Sequence, residues 1–230
     1  MHQAQAAMNS EVDRRPGPLM VSARSLCFGY PGRALARDAS HEWTAGLHLL
    51  QGDEGTGKTS WLKVLAGQLA LQSGELRFAA GPLPAHEIFW QDPRAELDAV
   101  LRECRMDDWV AGQAARYPRW SQPAWEAHAG ALNLLGHGHK PLRGLSAGSL
   151  RKLWLAAGWA SGAALTLIDE PLAALDLPAV RHVQQALAGF AWRHQAPRVA
   201  AGEPPRCIIV AHWDRMQGLA WDGITELTSA

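Results

Sequence analysis

Gly52-Asp53-Glu54-Gly55-Thr56-Gly57-Lys58-Thr59 is the stretch that decides how this chain folds. It fits the pattern G-x-x-x-x-G-K-[ST], a loop whose glycines let backbone N–H groups turn inward onto phosphate oxygens. The apolar run Leu47-His48-Leu49-Leu50-Gln51 precedes it and predicts a buried strand. Lys58–Ala70 follows with helical spacing, Leu62, Leu65, Ala66 and Leu69 sharing one face. A strand, a glycine loop and a helix in that order offer an anion the positive end of the helix. Lys58 is placed to reach the β and γ phosphates of ATP, and the Thr59 hydroxyl to ligate Mg2+. Ser60 extends the candidate nucleotide-binding set. Asp53 and Glu54 bring negative charge to a triphosphate site, and Glu54 is expected to weaken nucleotide affinity modestly.

Further along, Leu165-Thr166-Leu167-Ile168-Asp169-Glu170 is an apolar strand that delivers two carboxylates at its end. Beside a phosphate loop, Asp169 would hold Mg2+ directly or through water. Glu170 would orient or deprotonate the attacking water.

Outward from these two motifs, the chain alternates strand and helix. Met20–Phe28 predicts a first strand, broken by the turn residues Tyr30-Pro31-Gly32. Ser73-Gly74 is a turn, Glu75–Phe78 a short strand and Glu87–Trp90 another. From Asp92 to Arg143 the pattern is helical, with stretches at Glu96–Cys104, Asp107–Arg116 and Pro123–Leu135 punctuated by Pro and Gly. Leu150–Ala160 predicts a helix with Ser146 or a neighbour near its start, and Ala179–Arg193 an amphipathic one. Gln195–Pro205, rich in Ala, Pro and Gly, predicts a loop before the buried strand Cys207–Ala211. The alternation implies an α/β fold with a mostly parallel sheet covered on both faces.

Composition narrows the function. The chain has 230 residues, enough for one α/β domain with a small insertion. Lys plus Arg and Asp plus Glu number 22 each, so no global basic field draws in nucleic acid, and no nucleic-acid partner is expected. Cys27, Cys104 and Cys207 are far apart, without metal-ligand spacing, and predict three reduced thiols. No apolar run approaches the roughly 20 residues of a membrane span, so any membrane link runs through a partner. Residues 1–18 lack a signal-peptide centre and predict a disordered leader, with Met20 an alternative start. The 11 tryptophans predict core and groove-lining roles rather than ligand stacking. His137-Gly138-His139 lacks a third metal ligand nearby and predicts a polar loop.

Taken together, the motifs resemble the ATP-binding cassette (ABC) superfamily over nearly the whole chain from about Leu19. Leu145-Ser146-Ala147-Gly148-Ser149 resembles its signature, usually LSGGQ, with Ala147 and Ser149 departing from it. Phe89-Trp90-Gln91-Asp92 resembles the Q-loop, Ala174-Leu175-Asp176 the D-loop, and His212 the switch histidine. Tyr30 stands where the family stacks an aromatic on adenine. The resemblance implies a P-loop NTPase core with an N-terminal antiparallel β portion and a helical subdomain inserted at about 92–145. It further implies a head-to-tail dimer, homo- or heterodimeric, in which Ser146, Gly148 and Asp176 of one subunit complete the ATP site of the other. Glu170, His212 and Gln91 would be catalytic, and Gln91 would also sense Mg2+ beside Thr59 and Asp169.

Tyr117-Pro118-Arg119-Trp120-Ser121 and the helix after it resemble the helical subdomain of small exporter-type ATPases. The short chain and the LSAG variant also resemble the haem-exporter ATPases of cytochrome c maturation. The implied function is an ATPase subunit that energises a separate membrane permease from the cytoplasmic face. A groove between the Gln91 region and the helical insertion would dock that permease, with Trp90, Trp109, Trp120 and Trp125 as lining or core residues. The alternatives are a soluble cassette ATPase outside transport, and an ATP-binding regulatory subunit with weak hydrolysis.

Overall fold

The computed structural model describes residues 16–228. Of the expected leader, residues 1–15 lie outside the described residues. Pro18 is already engaged, its carbonyl accepting from the Ala45 N–H at 2.8 Å.

Two sheets form the framework. The first is antiparallel, with β1 (Leu19–Tyr30) between β2 (Arg33–Thr44) and β4 (Ser73–Phe78). The second is parallel throughout, in the order β5 (Ile88–Trp90), β6 (Leu165–Asp169), β7 (Cys207–His212), β3 (Gly46–Gln51), β8 (Gly223–Glu226). Its central strands are apolar and buried along their length because both faces are covered. The strand period of two sorts their side chains. Cys207, Ile209 and Ala211 of β7 pack with Leu165 and Leu167 against helix α1 (Lys58–Leu65) and the antiparallel sheet. Ile208 and Val210 point the other way, into a core shared with helix α5 (Ala147–Ala160) and helix α6 (Leu177–Ala188).

The expected helical insertion is present. Helix α2 (Ala99–Glu103), helix α3 (Met106–Arg116) and helix α4 (Gln122–Ala131) pack against α5. Trp109 tilts against Trp154 at 4.7 Å between ring centroids, and Trp120 against Trp125 at 6.0 Å. Ser121, Ser146 and Asp176 start α4, α5 and α6, each side chain accepting a backbone N–H three residues on.

Several expectations need correction. Strands β2 and β8 carry no strong apolar alternation, so the local pattern does not mark them as strands. The helix expected over Lys58–Ala70 ends at Leu65, where Ala66 caps it and Gly67 turns with φ +71°. The helix expected over Ala179–Arg193 breaks at Gly189–Ala191. Half of the expected loop Gln195–Pro205 is helical, belonging to helix α7 (Trp192–Ala200). Pro197 lies inside that helix without ending it. The buried Gln195 anchors it, its carboxamide donating to Phe190 O and Arg206 O and accepting from the Arg206 N–H. These tertiary hydrogen bonds override the local Pro and Gly signals.

Candidate nucleotide site

In a parallel sheet, ligands gather beyond the carboxyl ends of the strands. Here β6, β7 and β3 are adjacent, and their ends bring Asp169-Glu170, His212 and Gln51-Gly52 side by side. This adjacency joins the phosphate loop to motifs more than a hundred residues away in sequence.

The loop after β3 takes its shape from glycine. Gly55 and Gly57 have φ of +82° and +93°, left-handed conformations that L side chains resist. Lys58, at the first turn of α1, is 8% exposed and donates from Nζ to Gly52 O at 2.7 Å and Asp53 O at 3.0 Å. Thr56 Oγ1 donates to Asp53 O at 2.8 Å, which closes the loop on itself.

Glu170 is the hub of the cavity. Its Oε1 lies 3.7 Å from Lys58 Nζ and its Oε2 3.5 Å from His212 Nε2. Its backbone has φ +47°, a costly conformation for a residue with a side chain, and its N–H donates to Ala211 O at 2.9 Å. The Arg151 guanidinium donates to the carbonyls of both Asp169 and Glu170. His212 meets the backbone of Asp214 through Nδ1 and carries Trp213 stacked beside it at 5.5 Å.

Thr59 Oγ1 donates to Asp169 Oδ2 at 2.6 Å. Asp169 Oδ1 is buried and has no hydrogen-bond partner. An orphaned carboxylate oxygen beside a hydroxyl fits Mg2+, which takes one or two protein oxygens and leaves its other positions to water and phosphate. Among the described residues no group of three or more His, Cys, Asp and Glu could hold a metal by itself, His137-Gly138-His139 included.

The cavity over the loop has a volume of about 500 Å³. Tyr30, Asp53, Glu54, Lys58, Thr59, Ser60 and Glu170 line it, so most of the expected site residues converge. Tyr30 is 43% exposed, and its hydroxyl lies 3.5 Å from Ser60 Oγ. Arg33, Arg94 and Trp213 also line the cavity, and sequence reasoning missed all three. Arg33 was legible only through β2, which was itself missed.

The expected residues Gly52, Thr56, Asp169 and His212 touch residues that line the cavity, whereas four others stand apart from it within the chain. Gln91 lines an adjoining groove with Trp90, Trp154, Leu101, Leu150 and Arg151. Asp176 caps α6 and pairs with Lys152 at 2.6 Å. Ser146 Oγ accepts from the Ser149 N–H at 3.1 Å, and the two hydroxyls are 3.0 Å apart. Gly148 sits so close to the D-loop that a Cβ there would meet Ala174 O at 2.5 Å.

A parallel α/β sheet with a phosphate loop, an acidic strand end and a histidine at neighbouring carboxyl ends defines a nucleoside triphosphatase of the P-loop class. The pattern of the ABC transporter family matches residues 43–173. A protein of Xanthomonas campestris pv. campestris (strain 8004) is 33% identical over 187 residues, 74% of this chain and 81% of that protein. A protein of Pseudomonas fluorescens (strain Pf0-1) is 30% identical over 179 residues, 71% of this chain and 82% of that protein. Both are named cytochrome c biogenesis ATP-binding export protein CcmA. Among solved structures, a putative ABC transporter ATP-binding protein from Pyrococcus furiosus matches the fold with a TM-score of 0.69. It is 20% identical, and the match covers 90% of this chain and 96% of that one. The chain belongs to the ABC transporter family, as an ATP-binding, ATP-hydrolysing subunit that energises a membrane component. No helix among the described residues is long and apolar enough to cross a membrane.

Proposed function

We propose that this chain drives an exporter of the cytochrome c biogenesis type, working at the inner face of the membrane as one half of an ATP-closed dimer. The names of its relatives support the export role. The observation that carries the catalytic reading is the convergence of Lys58 and His212 on the Glu170 carboxylate, at 3.7 Å and 3.5 Å. In this reading Lys58 leaves the carbonyls of Gly52 and Asp53 to bind the β and γ phosphates. Glu170 takes the proton of the attacking water, and His212 holds the γ-phosphate. Thr59 and Asp169 would hold Mg2+, which when bound would supply positive charge against the phosphates. Gln91 reports the state of the cavity to the adjoining groove, where the permease docks.

Ser146, Gly148 and Asp176 serve the partner subunit's cavity. Their absence from the cavity of their own chain supports this assignment, as does the position of Ser146 and Gly148 at the start of α5. The test is gel filtration of Glu170→Gln with ATP and Mg2+. A dimer that dissociates when the nucleotide is removed is expected. A monomer with ATP bound contradicts the dimer.

A further inference from the structure

Three acidic side chains, Asp53, Glu54 and Glu170, line the cavity over the phosphate loop. Against them the loop itself offers Lys58 alone. A triphosphate of several negative charges entering such a cavity would meet net repulsion. The cavity is nonetheless balanced, because Arg33 and Arg94 also line it and bring its cations to three. They approach from different parts of the fold. Arg33 begins β2, and its Nη2 donates to Gly55 O at 3.0 Å, so its guanidinium is held on the loop that carries both extra carboxylates. Arg94 follows the Q-loop, where its N–H donates to Asp92 Oδ1 at 3.0 Å. Leu35, two residues along the same strand, packs against the loop at Gly57.

We propose that Arg33, with Arg94 facing the same cavity, is a nucleotide-binding residue that offsets Asp53 and Glu54 and makes an acidic phosphate loop competent for ATP. The inference deepens the ATP-site reading and rests on it. Arg33 does two things in this account. Its donor to Gly55 fixes the loop, and its remaining donors face the phosphates, where a guanidinium suits oxyanions better than an ammonium does. The lost affinity when it is removed depends on the carboxylates it offsets, so the effects of Arg33 and Glu54 are coupled.

The experiment is equilibrium binding of a fluorescent ATP analogue to the full chain, at low and at high salt. Arg33→Gln weakens binding by about three- to tenfold at low salt, a size set by one partly screened charge-assisted contact. Salt narrows the difference. Glu54→Gln tightens binding, and Arg33→Gln with Glu54→Gln returns toward wild type. Arg33→Lys recovers part of the loss, and Arg94→Gln repeats the Arg33→Gln effect more weakly. Both arginines are exposed, so folding is not at stake, and unchanged thermal melting of each variant checks this. A wild-type chain that binds and an Arg33→Gln variant that binds equally well overturn the charge balance alone. A wild-type chain that ignores the analogue, like its Lys58→Ala variant, overturns the ATP site and this proposal together.

Discussion

Glu170 offers one carboxylate oxygen to the Lys58 ammonium at 3.7 Å and the other to His212 Nε2 at 3.5 Å. One side chain thus connects the phosphate loop after β3 with the end of β7. The contact to Lys58 is one that a bound triphosphate would compete for. In the proposed mechanism this competition frees Glu170 toward water, which would couple occupancy of the loop to readiness of the base.

The cation site can be tested apart from nucleotide affinity. Asp169→Asn keeps the shape of the side chain and the Thr59 contact but removes charge at the orphaned Oδ1. The Mg2+ concentration for half-maximal turnover should rise by about tenfold or more. ATP binding in the absence of Mg2+ should stay near wild type. An unchanged Mg2+ requirement would remove Asp169 from the site.

Gly148 is required within its own subunit, whatever it does for a partner. A Cβ there would stand 2.5 Å from Ala174 O, and Ala174 is already strained at φ +61°. Gly148→Ala should lower stability by about 2 kcal/mol, the usual cost of overpacking a tight contact. Thermal melting without nucleotide reads this, and an unchanged midpoint would mean that the D-loop yields freely.

Arg206 is buried and pairs with no carboxylate among the described residues. Its guanidinium donates to Ala163 O, Trp159 O and Gly158 O, all near 3.0 Å, and to Thr166 Oγ1 at 3.1 Å. Burial holds its pKa down to about 9. It ties the end of α5 to the start of β7, against Phe190. Arg206→Met strands several buried carbonyls and should cost about 3 kcal/mol in chemical denaturation. A loss below the error of the measurement would show that water replaces the guanidinium.

Stability should also fall in mild acid. His128 packs on Trp159, and its Nδ1 lies 3.0 Å from His182 Nε2. Burial first, then the nearby His182 and Arg206, hold its pKa down to about 4 from 6.5. The folded chain therefore keeps it neutral where the unfolded chain binds a proton. Stability is full above pH 6.5 and declines as pH falls toward 4, by about 1 kcal/mol once partial exposure is allowed for. His128→Gln should flatten this slope in urea titrations across the window. A slope equal to wild type would place the proton elsewhere.

The phosphate loop, the acidic strand end and the buried central strands were legible because each is a local signal. Glycines mark the loop, and continuous apolar runs mark strands covered on both faces. The helical insertion was legible as helical stretches without a strong strand, punctuated by Pro and Gly. What escaped was set by tertiary partners. Strand β2 exposes much of its length and alternates poorly, so Arg33 was invisible as a site residue. The Pro197 signal lost to the buried Gln195 hydrogen bonds. The four tryptophans assigned to lining or core divide accordingly. Trp90 lines the groove, Trp109 and Trp125 are buried, and Trp120 is half-buried beside Trp125.

The central claim is that the ends of β3, β6 and β7 make one ATP-hydrolysing site with Glu170 as its base. The direct measurement is ATP turnover by Glu170→Gln beside wild type, with ATP affinity measured on the same samples. The account predicts turnover lower by about a hundredfold or more with affinity retained, the usual loss when a general base is removed. Unchanged turnover in Glu170→Gln would contradict it.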